Sequence, residues 1–237
     1  MKTTAFIFAA GLGTRLYPLT ATKPKALVCY QGKTMLEHAI DKIAAAGIRH
    51  IIVNVHHFPD QIIRFLATHK KDARIEVSDE RAYLRDTAGG LKFAEPKLRD
   101  SDLLLLYNVD ILSSIDLGAF VRQHVSSAAD VTLAVRRRET SRYLVFEKET
   151  LDLCGWKNIK SGETILPKPP RQSLELAFSG IHLMNRHVVN RIPSVEKLSL
   201  IPFYLHNIQQ IKVKGFLHTD GLWMDVGKYA DCKDVLF

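Results

Sequence analysis

A short apolar strand that runs into a glycine turn constrains the fold of this chain more than any other feature. Residues Ala5 to Ala10 are apolar, and Gly11 and Gly13 follow. An apolar run of this length is typical of a strand that is buried on both faces. Glycine lets the backbone turn sharply or approach another group closely. The chain is therefore predicted to begin with a buried strand that ends in a tight turn.

Basic side chains follow this turn, and together they predict a phosphate site. Arg15 comes directly after the turn, and Lys23 and Lys25 come shortly afterwards. Free backbone N–H groups and an arginine guanidinium both fit phosphate oxygens. The third glycine of a dinucleotide-binding loop is replaced here by Leu16, and the Gly-Lys-Ser/Thr sequence of a kinase-type P-loop is absent. The turn therefore belongs to neither of these two types.

Strand-like and helix-like runs alternate through the first half of the chain. Apolar runs predict strands at 51–55, 74–78 and 103–109, and apolar residues at helical spacing predict helices at 35–44 and about 59–69. This rhythm indicates a parallel sheet with helices on both faces. Such sheets bind ligands at the carboxyl ends of their strands. The glycine turn and Asp110, which follows the third of these runs, are therefore expected at one edge of the sheet.

The pattern changes after about residue 140. Short strands are predicted at 142–146 and 151–156, as a hairpin, then a loop at 157–170 and a strand at 174–184. Helices are predicted at 186–192 and 199–210, strands at 211–215 and 221–226, and a helical tail from Gly227. Because no linker or internal repeat is evident, we expect a single domain over residues 1–237.

Composition narrows the class of protein. Apolar residues make up 46% and charged residues 24%, as in soluble globular proteins, and no apolar run approaches the roughly 18 residues of a membrane helix. We therefore expect a cytoplasmic protein without a membrane partner. The net charge of +8 favours anionic partners, but the basic residues are scattered, which does not indicate nucleic acid binding. Cys29, Cys154 and Cys232 lack Cys-x-x-Cys spacing, so reduced thiols are expected and a zinc site is not.

Two aspartates stand at the ends of apolar strand-like runs. Asp110 ends the run that begins at Leu103, and Asp225 lies in the apolar segment before Gly227. A carboxylate in such a place is costly unless it is solvated or holds a cation. Mg²⁺ commonly takes one or two carboxylates together with phosphates and waters, so the pair suits a magnesium site. Each aspartate is also compatible with the cap of a following helix.

The glycine turn also resembles the signature of a known family. Gly11-x-Gly13-Thr14-Arg15-Leu16-x-Pro18-x-Thr20, followed by Pro24-Lys25, is similar to the signature of the sugar-phosphate nucleotidyltransferases, the enzymes that make NDP-sugars. The resemblance is nearest to short members that act on N-acetylmuramate 1-phosphate or mannose 1-phosphate. It implies a Rossmann-like three-layer α/β sandwich with a mostly parallel central sheet. It also implies an NTP-binding half at about 1–125 and a sugar-phosphate half at about 126–237.

Other segments extend the resemblance over nearly the whole chain. Asn108-Val-Asp110 and Trp223-Met-Asp225-Val-Gly227 are similar to the metal-binding segments of the family. Glu80-x5-Asp86-Thr87-Ala88-Gly89-Gly90 resembles the segment that lines the nucleobase pocket, where glycines let a flat base approach the main chain. The same glycines are also compatible with a helix-entry turn. Phe178-Ser179-Gly180-Ile181 resembles the strand beneath the sugar.

The resemblance implies a role for each matching residue. The expected catalytic residues are Arg15, Lys25 and Asp110. The expected nucleotide-binding residues are Ala10, Gly11, Leu12, Gly13, Thr14, Glu80, Thr87, Gly89 and Gly90. The expected sugar-phosphate residues are Asn108, Ser179, Gly180 and Lys168, although Lys168 lacks the acidic neighbour of the family's Glu-Lys-Pro segment. The expected metal ligands, for Mg²⁺, are Asp110 and Asp225.

The implied reaction joins an NTP, UTP or GTP, to a sugar 1-phosphate, in a monomer or homodimer. One alternative is a cytidylyltransferase for phosphocholine or a similar alcohol phosphate, for which Trp156, Tyr143 and Trp223 are the residues available for an aromatic cage. Another is a catalytically silent binding paralogue, which loss of Arg15, Lys25 or a metal-binding acid would signal. The sequence leaves open whether His182 faces the sugar pocket or the core.

Overall fold

A mixed β-sheet lies at the centre of the computed structural model, which describes residues 1–68, 72–195 and 197–228. The strands are β1 Thr3–Phe8, β2 Cys29–Tyr30, β3 Lys33–Thr34, β4 His50–Val55, β5 Arg74–Asp79, β6 Leu103–Asn108, β7 Ile111–Ser113, β8 Val131–Arg136, β9 Arg142–Glu147, β10 Leu153–Asn158, β11 Thr164–Ile165, β12 Ser173–Asn185, β13 Val213–Leu217 and β14 Trp223–Asp225. The α-helices are α1 Met35–Ala45, α2 Pro59–Thr68, α3 Asp86–Phe93, α4 Leu117–Ser126 and α5 Leu200–His206. Short 3-10 helices cover Thr14–Leu16, Lys25–Leu27, Glu95–Leu98, Arg186–Arg191 and Val226–Lys228.

The large sheet has the order β11-β10-β9-β12-β6-β1-β4-β5, with β8 paired to β12 and β13 paired to β8. Strands β6, β1, β4 and β5 are parallel, whereas β12 runs antiparallel to β6. In the β1–β6 pair, Phe8 lies opposite Asn108 at the carboxyl ends of both strands. The glycine turn and Asp110 therefore leave the same edge of the sheet side by side, as the sequence predicts.

Alternate side chains of β1 enter two separate apolar layers. Ala5 and Ile7 pack in the layer that contains buried residues of α1, α2 and α4, whereas Phe6 and Phe8 pack in the layer of α3 and α5. Full burial of a large apolar side chain contributes roughly 1.5–3 kcal/mol. Because both faces of the sheet are covered in this way, the fold is the expected Rossmann-like α/β sandwich.

Local sequence explains why α1 begins where it does. The Thr34 hydroxyl accepts a hydrogen bond from the Glu37 backbone N–H, and the Glu37 carboxylate accepts one from the Thr34 N–H. This capping box satisfies two backbone donors that the first turn leaves without partners. After the helix, Gly47 has φ +82°, a left-handed conformation that suits glycine beyond a helix end. The predicted helix at 35–44 is thereby confirmed.

Departures from the predicted elements are concentrated in the second half of the chain. The hairpin of β9 and β10 and the long strand β12 are confirmed. The predicted loop at 157–170 contains β11, which pairs with β10, and the predicted helix at 199–210 shortens to α5. Strand β8 and helix α4 have no counterpart among the predicted elements. The predicted helical tail after Gly227 lies outside the described residues, apart from the short turn that ends at Lys228.

Two further expectations concern the thiols and the membrane. Cys29 and Cys154 are free thiols, whereas Cys232 lies outside the described residues. Within the ranges that the structure describes, every helix is too short or too polar to cross a membrane.

Candidate active site

The glycine turn has the conformation that its sequence requires. Gly13 has φ +68°, and a Cβ added there would lie only 2.9 Å from Cγ2 of Thr20. The Thr20 hydroxyl donates a hydrogen bond of 2.9 Å to the Gly13 carbonyl oxygen and so closes the loop. Leu16 is buried and anchors the loop in the core, while the side chain of Arg15 is 60% exposed. The loop is thus held by the core and presents its guanidinium to solvent.

A buried polar pair supports the start of this loop. Oδ1 of Asn54 accepts hydrogen bonds from the backbone N–H of Ala9, at 2.7 Å, and of Ala10, at 3.2 Å. Nδ2 of Asn54 donates to Oε1 of Glu80 at 2.8 Å. Burial raises the pKa of the Glu80 carboxyl. Asn54 was not predicted as a site residue, although an amide within the otherwise apolar run at 51–55 was the available signal.

Lys25 and Asp110 form a close ion pair at the same edge. Nζ of Lys25 lies 2.8 Å from Oδ2 of Asp110, and their side chains are 16% and 7% exposed. A Cβ added at Gly11 would lie 3.6 Å from the same ammonium group. The glycine of the turn, the lysine and the aspartate therefore surround one small volume.

Asp225 reaches this volume through a small second sheet. Strands β7 and β14 pair antiparallel with Asp225 opposite Ile111, and the Val226 N–H donates to the Asp110 carbonyl oxygen at 3.0 Å. A Cβ added at Gly227 would lie 2.9 Å from Oδ2 of Asp110 and 3.1 Å from Oδ1 of Asp225. The distance between the two carboxylate oxygens thus cannot exceed the sum of these values. The two acids lie together, as predicted, beside a glycine that leaves room for them.

The donor set fits a hard divalent cation that also binds phosphate. The Asp110 and Asp225 oxygens face one point, and Nη1 of Arg15 lies 4.0 Å from Oδ2 of Asp225. Among the described residues no cluster of three or more His, Cys, Asp or Glu side chains forms a metal site. Two carboxylates are too few to complete the coordination of a cation by protein alone. They are, however, the number that proteins commonly provide for Mg²⁺, whose other ligands are waters and substrate phosphates.

Two adjoining cavities open beside these charges. The smaller, about 340 Å³, is lined by residues that include Gly11, Arg15, Lys25, Asn54 and Asp110. The larger, about 860 Å³, is lined mainly by the second half of the chain and includes Arg142, Tyr143, Leu144, Trp156, Phe178 and His182. Asp86, Thr87 and Asn108 line both. The cleft therefore has a charged compartment and a mostly apolar compartment with a shared border.

The segment predicted to line the nucleobase pocket begins helix α3. The Thr87 hydroxyl accepts a hydrogen bond from the Leu200 N–H at 2.9 Å, which joins α3 to α5. The N–H groups of Ala88 and Gly89 donate to the Leu198 carbonyl oxygen. A Cβ added at Gly90 would lie 2.6 Å from Oε1 of Glu80. The small size of Gly90 is thus required by the buried Glu80 itself, and Asp86 and Thr87 are the residues of this segment that line both cavities.

Among the predicted sugar-phosphate residues, the structure brings Gly180 and Asn108 together. Gly180 has φ +77°, and a Cβ there would lie 3.2 Å from Nδ2 of Asn108 and 2.7 Å from Cγ1 of Ile111. The register of β12 against β8 shifts between Phe178 and His182. This irregularity brings the β12 backbone against the end of β6, where Asn108 borders both cavities.

The structure places the side chains of Ser179 and Lys168 away from the cleft, unlike the side chain of Asn108. The Ser179 side chain is fully buried and its hydroxyl lies 2.8 Å from Nε2 of His218, because the shift in β12 turns it away from the cleft. Lys168 is exposed and lines a different cavity, together with Asp130, Asp152 and Lys212. Neither side chain lines the two cavities at Asp110.

Arg138, which is not among the predicted site residues, supports the strand that carries Asp225. The guanidinium of Arg138 lies 4.4 Å from the ring centroid of Trp223 and donates to the Phe178 carbonyl oxygen at 3.0 Å. Nε1 of Trp223 donates to the Ser179 carbonyl oxygen at 2.9 Å. Because Trp223 and Asp225 belong to the same short strand, these contacts fix the strand that carries the carboxylate.

Comparisons with known proteins agree with this arrangement. The profile of the nucleotidyl transferase family matches residues 4–236. The chain is 30% identical to the N-acetylmuramate alpha-1-phosphate uridylyltransferase of Caulobacter vibrioides, over 94% of this chain and 91% of that protein. It is also 30% identical to the mannose-1-phosphate guanyltransferase of Aspergillus oryzae, over 96% of this chain but only 61% of that protein.

Solved structures show the same fold at lower identity. A Bacillus anthracis protein, provisionally described as a glucose-1-phosphate thymidylyltransferase and solved with sucrose, superposes with a TM-score of 0.78 at 19% identity, covering 96% of this chain and 91% of that one. HddC from Yersinia pseudotuberculosis, complexed with GMP-PN, superposes with a TM-score of 0.73 at 20% identity, covering 98% of this chain and 96% of that one.

Proposed function

Since this chain belongs to the nucleotidyl transferase family and is a sugar-phosphate nucleotidyltransferase, we propose that it transfers uridylyl from UTP to N-acetylmuramate 1-phosphate or a closely similar sugar 1-phosphate. The Caulobacter vibrioides relative that carries this name aligns over nearly all of both chains. Guanylyl transfer to mannose 1-phosphate is the second candidate, favoured by relatives of that name, of whose length this chain spans about 61%. The observation that carries the proposal is the convergence of the glycine turn, Asp110 and Asp225.

The reaction needs no protein nucleophile. An anionic oxygen of the sugar 1-phosphate attacks the α-phosphorus of the NTP, a new P–O bond forms, and the bond from the α-phosphorus to the bridging oxygen breaks as pyrophosphate leaves. No proton has to be transferred for the charges to balance. The difficulty is to bring two anions together, so catalysis depends on positioning and on electrostatic stabilisation.

The side chains of the charged compartment suit this task. The exposed Arg15 guanidinium binds the β- and γ-phosphates beside the loop of Leu12 to Thr14. Lys25 exchanges its bond to Asp110 for an oxygen of the α-phosphate or of the incoming sugar phosphate. Asn54 and Glu80 keep the start of the loop in place. The NTP thus occupies the smaller cavity and the sugar the larger one, with Asn108 at the reacting centre between them.

Asp110 and Asp225 are the residues that would hold Mg²⁺ in this proposal. A bound divalent cation supplies Lewis acidity and neutralises phosphate charge. The two carboxylates give it oxygen ligands at the border of the cleft, and their separation is small because Gly227 carries no side chain. Without such a cation, two carboxylates beside a triphosphate would repel it.

The alternatives receive less support from the same geometry. A quaternary-amine cage would need free aromatic faces, but Trp223 lies under the Arg138 guanidinium, and among the cavity-lining residues Arg142 adds another positive charge. A silent paralogue is disfavoured because Arg15, Lys25 and both aspartates are present and close together.

A pyrophosphate-release assay over UTP, GTP, CTP, ATP and dTTP against a panel of sugar 1-phosphates tests the proposal. We expect UTP with N-acetylmuramate 1-phosphate to give the highest kcat/KM in the presence of Mg²⁺, and D110N and D225N to lose about 100-fold or more. D100N is the matched control, since Asp100 is exposed and lines a cavity away from the site. The proposal would be contradicted if D110N turned over at the rate of D100N, or if pyrophosphate were released only with an alcohol phosphate as the acceptor.

A further inference from the structure

His182 lies at the floor of the larger cavity and is outside the reaction scheme above. It belongs to β12, is 2% exposed and lines the cavity. Its ring packs edge-on against Phe178, at a centroid distance of 5.1 Å, and against Tyr204, at 5.9 Å. An imidazole among aromatic rings is costly to bury unless its nitrogens have a use. One nitrogen is already accounted for, because Nδ1 lies 3.1 Å from the Tyr204 hydroxyl.

The Tyr204 hydroxyl determines which nitrogen of His182 carries the proton. Tyr204 is fully buried, and in the described part of the chain His182 is its hydroxyl's hydrogen-bond partner. Burial raises the pKa of Tyr204 and lowers the pKa of His182 to about 3, so both side chains are neutral near pH 7. The phenol proton must therefore be donated to Nδ1, because no other acceptor is available to it among these residues. A neutral imidazole that accepts at Nδ1 carries its own proton at Nε2.

Strand register places this donor away from the phosphates. In the β12–β6 pair, His182 lies opposite Leu106. Leu106 precedes Asn108 by two residues and Asp110 by four. Arg15 and Lys25 line the smaller cavity, whereas His182 lines only the larger one. A neutral N–H group does little to offset phosphate charge, but it suits a neutral oxygen. The mostly apolar surroundings, including Phe178 and Trp156, strengthen such a hydrogen bond.

We propose that Nε2–H of His182, set in this tautomer by Tyr204, donates a hydrogen bond to a neutral ring substituent of the sugar 1-phosphate, either a hydroxyl or an acetamido carbonyl oxygen. His182 is then a specificity-determining residue for the acceptor, and Tyr204 is the residue that positions its proton. This inference rests on the proposed function, since it assigns the sugar to the larger cavity.

Steady-state kinetics of H182F, H182Q and Y204F test the assignment. H182F keeps an aromatic ring against Phe178 but removes the donor, so we expect the KM for the sugar 1-phosphate to rise by roughly tenfold to a hundredfold, with the KM for the NTP nearly unchanged. H182Q retains an N–H donor and should recover part of the loss. H187F is the matched control, because His187 is exposed and pairs with Asp130 outside the cleft.

Sugar analogues identify the contacted group. A sugar 1-phosphate that lacks the substituent bound by His182 should have the same KM with wild type and with H182F, because there is no hydrogen bond to lose. If H182F raises the KM for every analogue equally, or raises that for the NTP as much, the contact does not exist and the inference is overturned.

A spectroscopic measurement tests the tautomer independently of turnover. In ¹⁵N-labelled protein, we expect the His182 ring to show Nε2–H in wild type and a changed tautomer balance in Y204F. A predominant Nδ1–H form in wild type would overturn the inference. If no sugar 1-phosphate and NTP pair gives product with wild type, the proposed function fails instead, while the NMR result still reports on His182 and Tyr204.

Discussion

Nζ of Lys25 lies 2.8 Å from Oδ2 of Asp110, and the two residues are 85 positions apart in the sequence. This pair links the loop after β1 to the end of β6, with little exposure of either side chain. In a mostly buried pair, removal of one partner leaves the other charge uncompensated, whereas removal of both does not. The ion pair therefore has separate consequences for stability and for catalysis.

We expect K25M to destabilise the fold by about 1–3 kcal/mol, because Asp110 is left without its cation. The double variant K25M/D110N should regain part of this stability while both variants lose turnover by about 100-fold or more. Urea unfolding gives the stabilities, and pyrophosphate release gives the rates. Lys23, which lies outside the lining of both cavities, offers K23M as a control with wild-type turnover. Recovery of turnover in the double variant would contradict the catalytic roles assigned to both Lys25 and Asp110.

The contact between Arg138 and Trp223 leads to a prediction about metal dependence. Because Arg138 fixes the strand that carries Asp225, R138A should loosen that carboxylate without removing it. We expect the Mg²⁺ concentration for half-maximal rate to rise by about tenfold, the scale of a desolvated cation–π contact. A Mg²⁺ titration of the rate measures this effect.

The neighbouring Arg137 supplies the control for that prediction. Arg137 is exposed, so R137A makes the same change of charge without touching Trp223. Equal shifts of the Mg²⁺ requirement in R137A and R138A would point to net charge, rather than to the position of Asp225, as the cause.

The sequence was sufficient to predict the convergence of the charged residues because strand ends are easy to recognise. An apolar run ends before Gly11, another ends at Asp110, and the carboxyl ends of parallel strands share one edge. The same reasoning did not find Asn54, whose amide acts inside the sheet on the backbone of the loop. A single polar residue in an apolar strand shows that a partner exists, but not which one.

Side-chain direction in β12 was beyond sequence reasoning. If side chains alternated strictly along β12, the face of the sheet on which Ser179 and His182 lie could be inferred from their neighbours. The register shift at Gly180 interrupts this alternation. Ser179 consequently turns to His218 and His182 to the larger cavity. For Lys168, the stretch between β11 and β12 has no periodicity from which its position could be inferred.

Gly13 and Gly32 both have a left-handed backbone conformation but differ in the space around them. Gly13 and Gly32 have φ +68° and +78°, but an added Cβ at Gly13 would lie 2.9 Å from Thr20, whereas at Gly32 no atom lies within 4 Å. G32A therefore reports the backbone cost alone, about 1–2 kcal/mol. G13A should be less stable than G32A and should also raise the KM for the NTP, since the loop must shift. Urea unfolding and initial rates measure the two effects.

The comparison of G13A with G32A can also contradict the role assigned to this loop. Equal losses of stability with an unchanged KM for the NTP in G13A would contradict the placement of the triphosphate at this turn.

Buried neutral histidines predict how stability depends on pH. Burial lowers the pKa of His182 to about 3 and that of His218 to about 4, in the latter case with a contribution from Arg136. In the unfolded chain both imidazoles titrate near their usual 6.5. Below that pH the unfolded chain takes up protons that the folded protein does not, so stability is lost as the pH falls. Each histidine contributes about 1.4 kcal/mol per pH unit to this slope.

We therefore expect the free energy of unfolding of wild type to fall steeply between pH 6 and about pH 4, and the slope to be reduced in H182F by one histidine's share. H187F, at an exposed site, should keep the wild-type slope. Because the comparison uses differences in slope, any offset in stability from the substitution itself drops out. Chemical denaturation at a series of pH values makes the measurement. An identical slope in H182F and wild type would mean that His182 takes up its proton equally in the folded and the unfolded protein, which would contradict the lowered pKa of its buried imidazole.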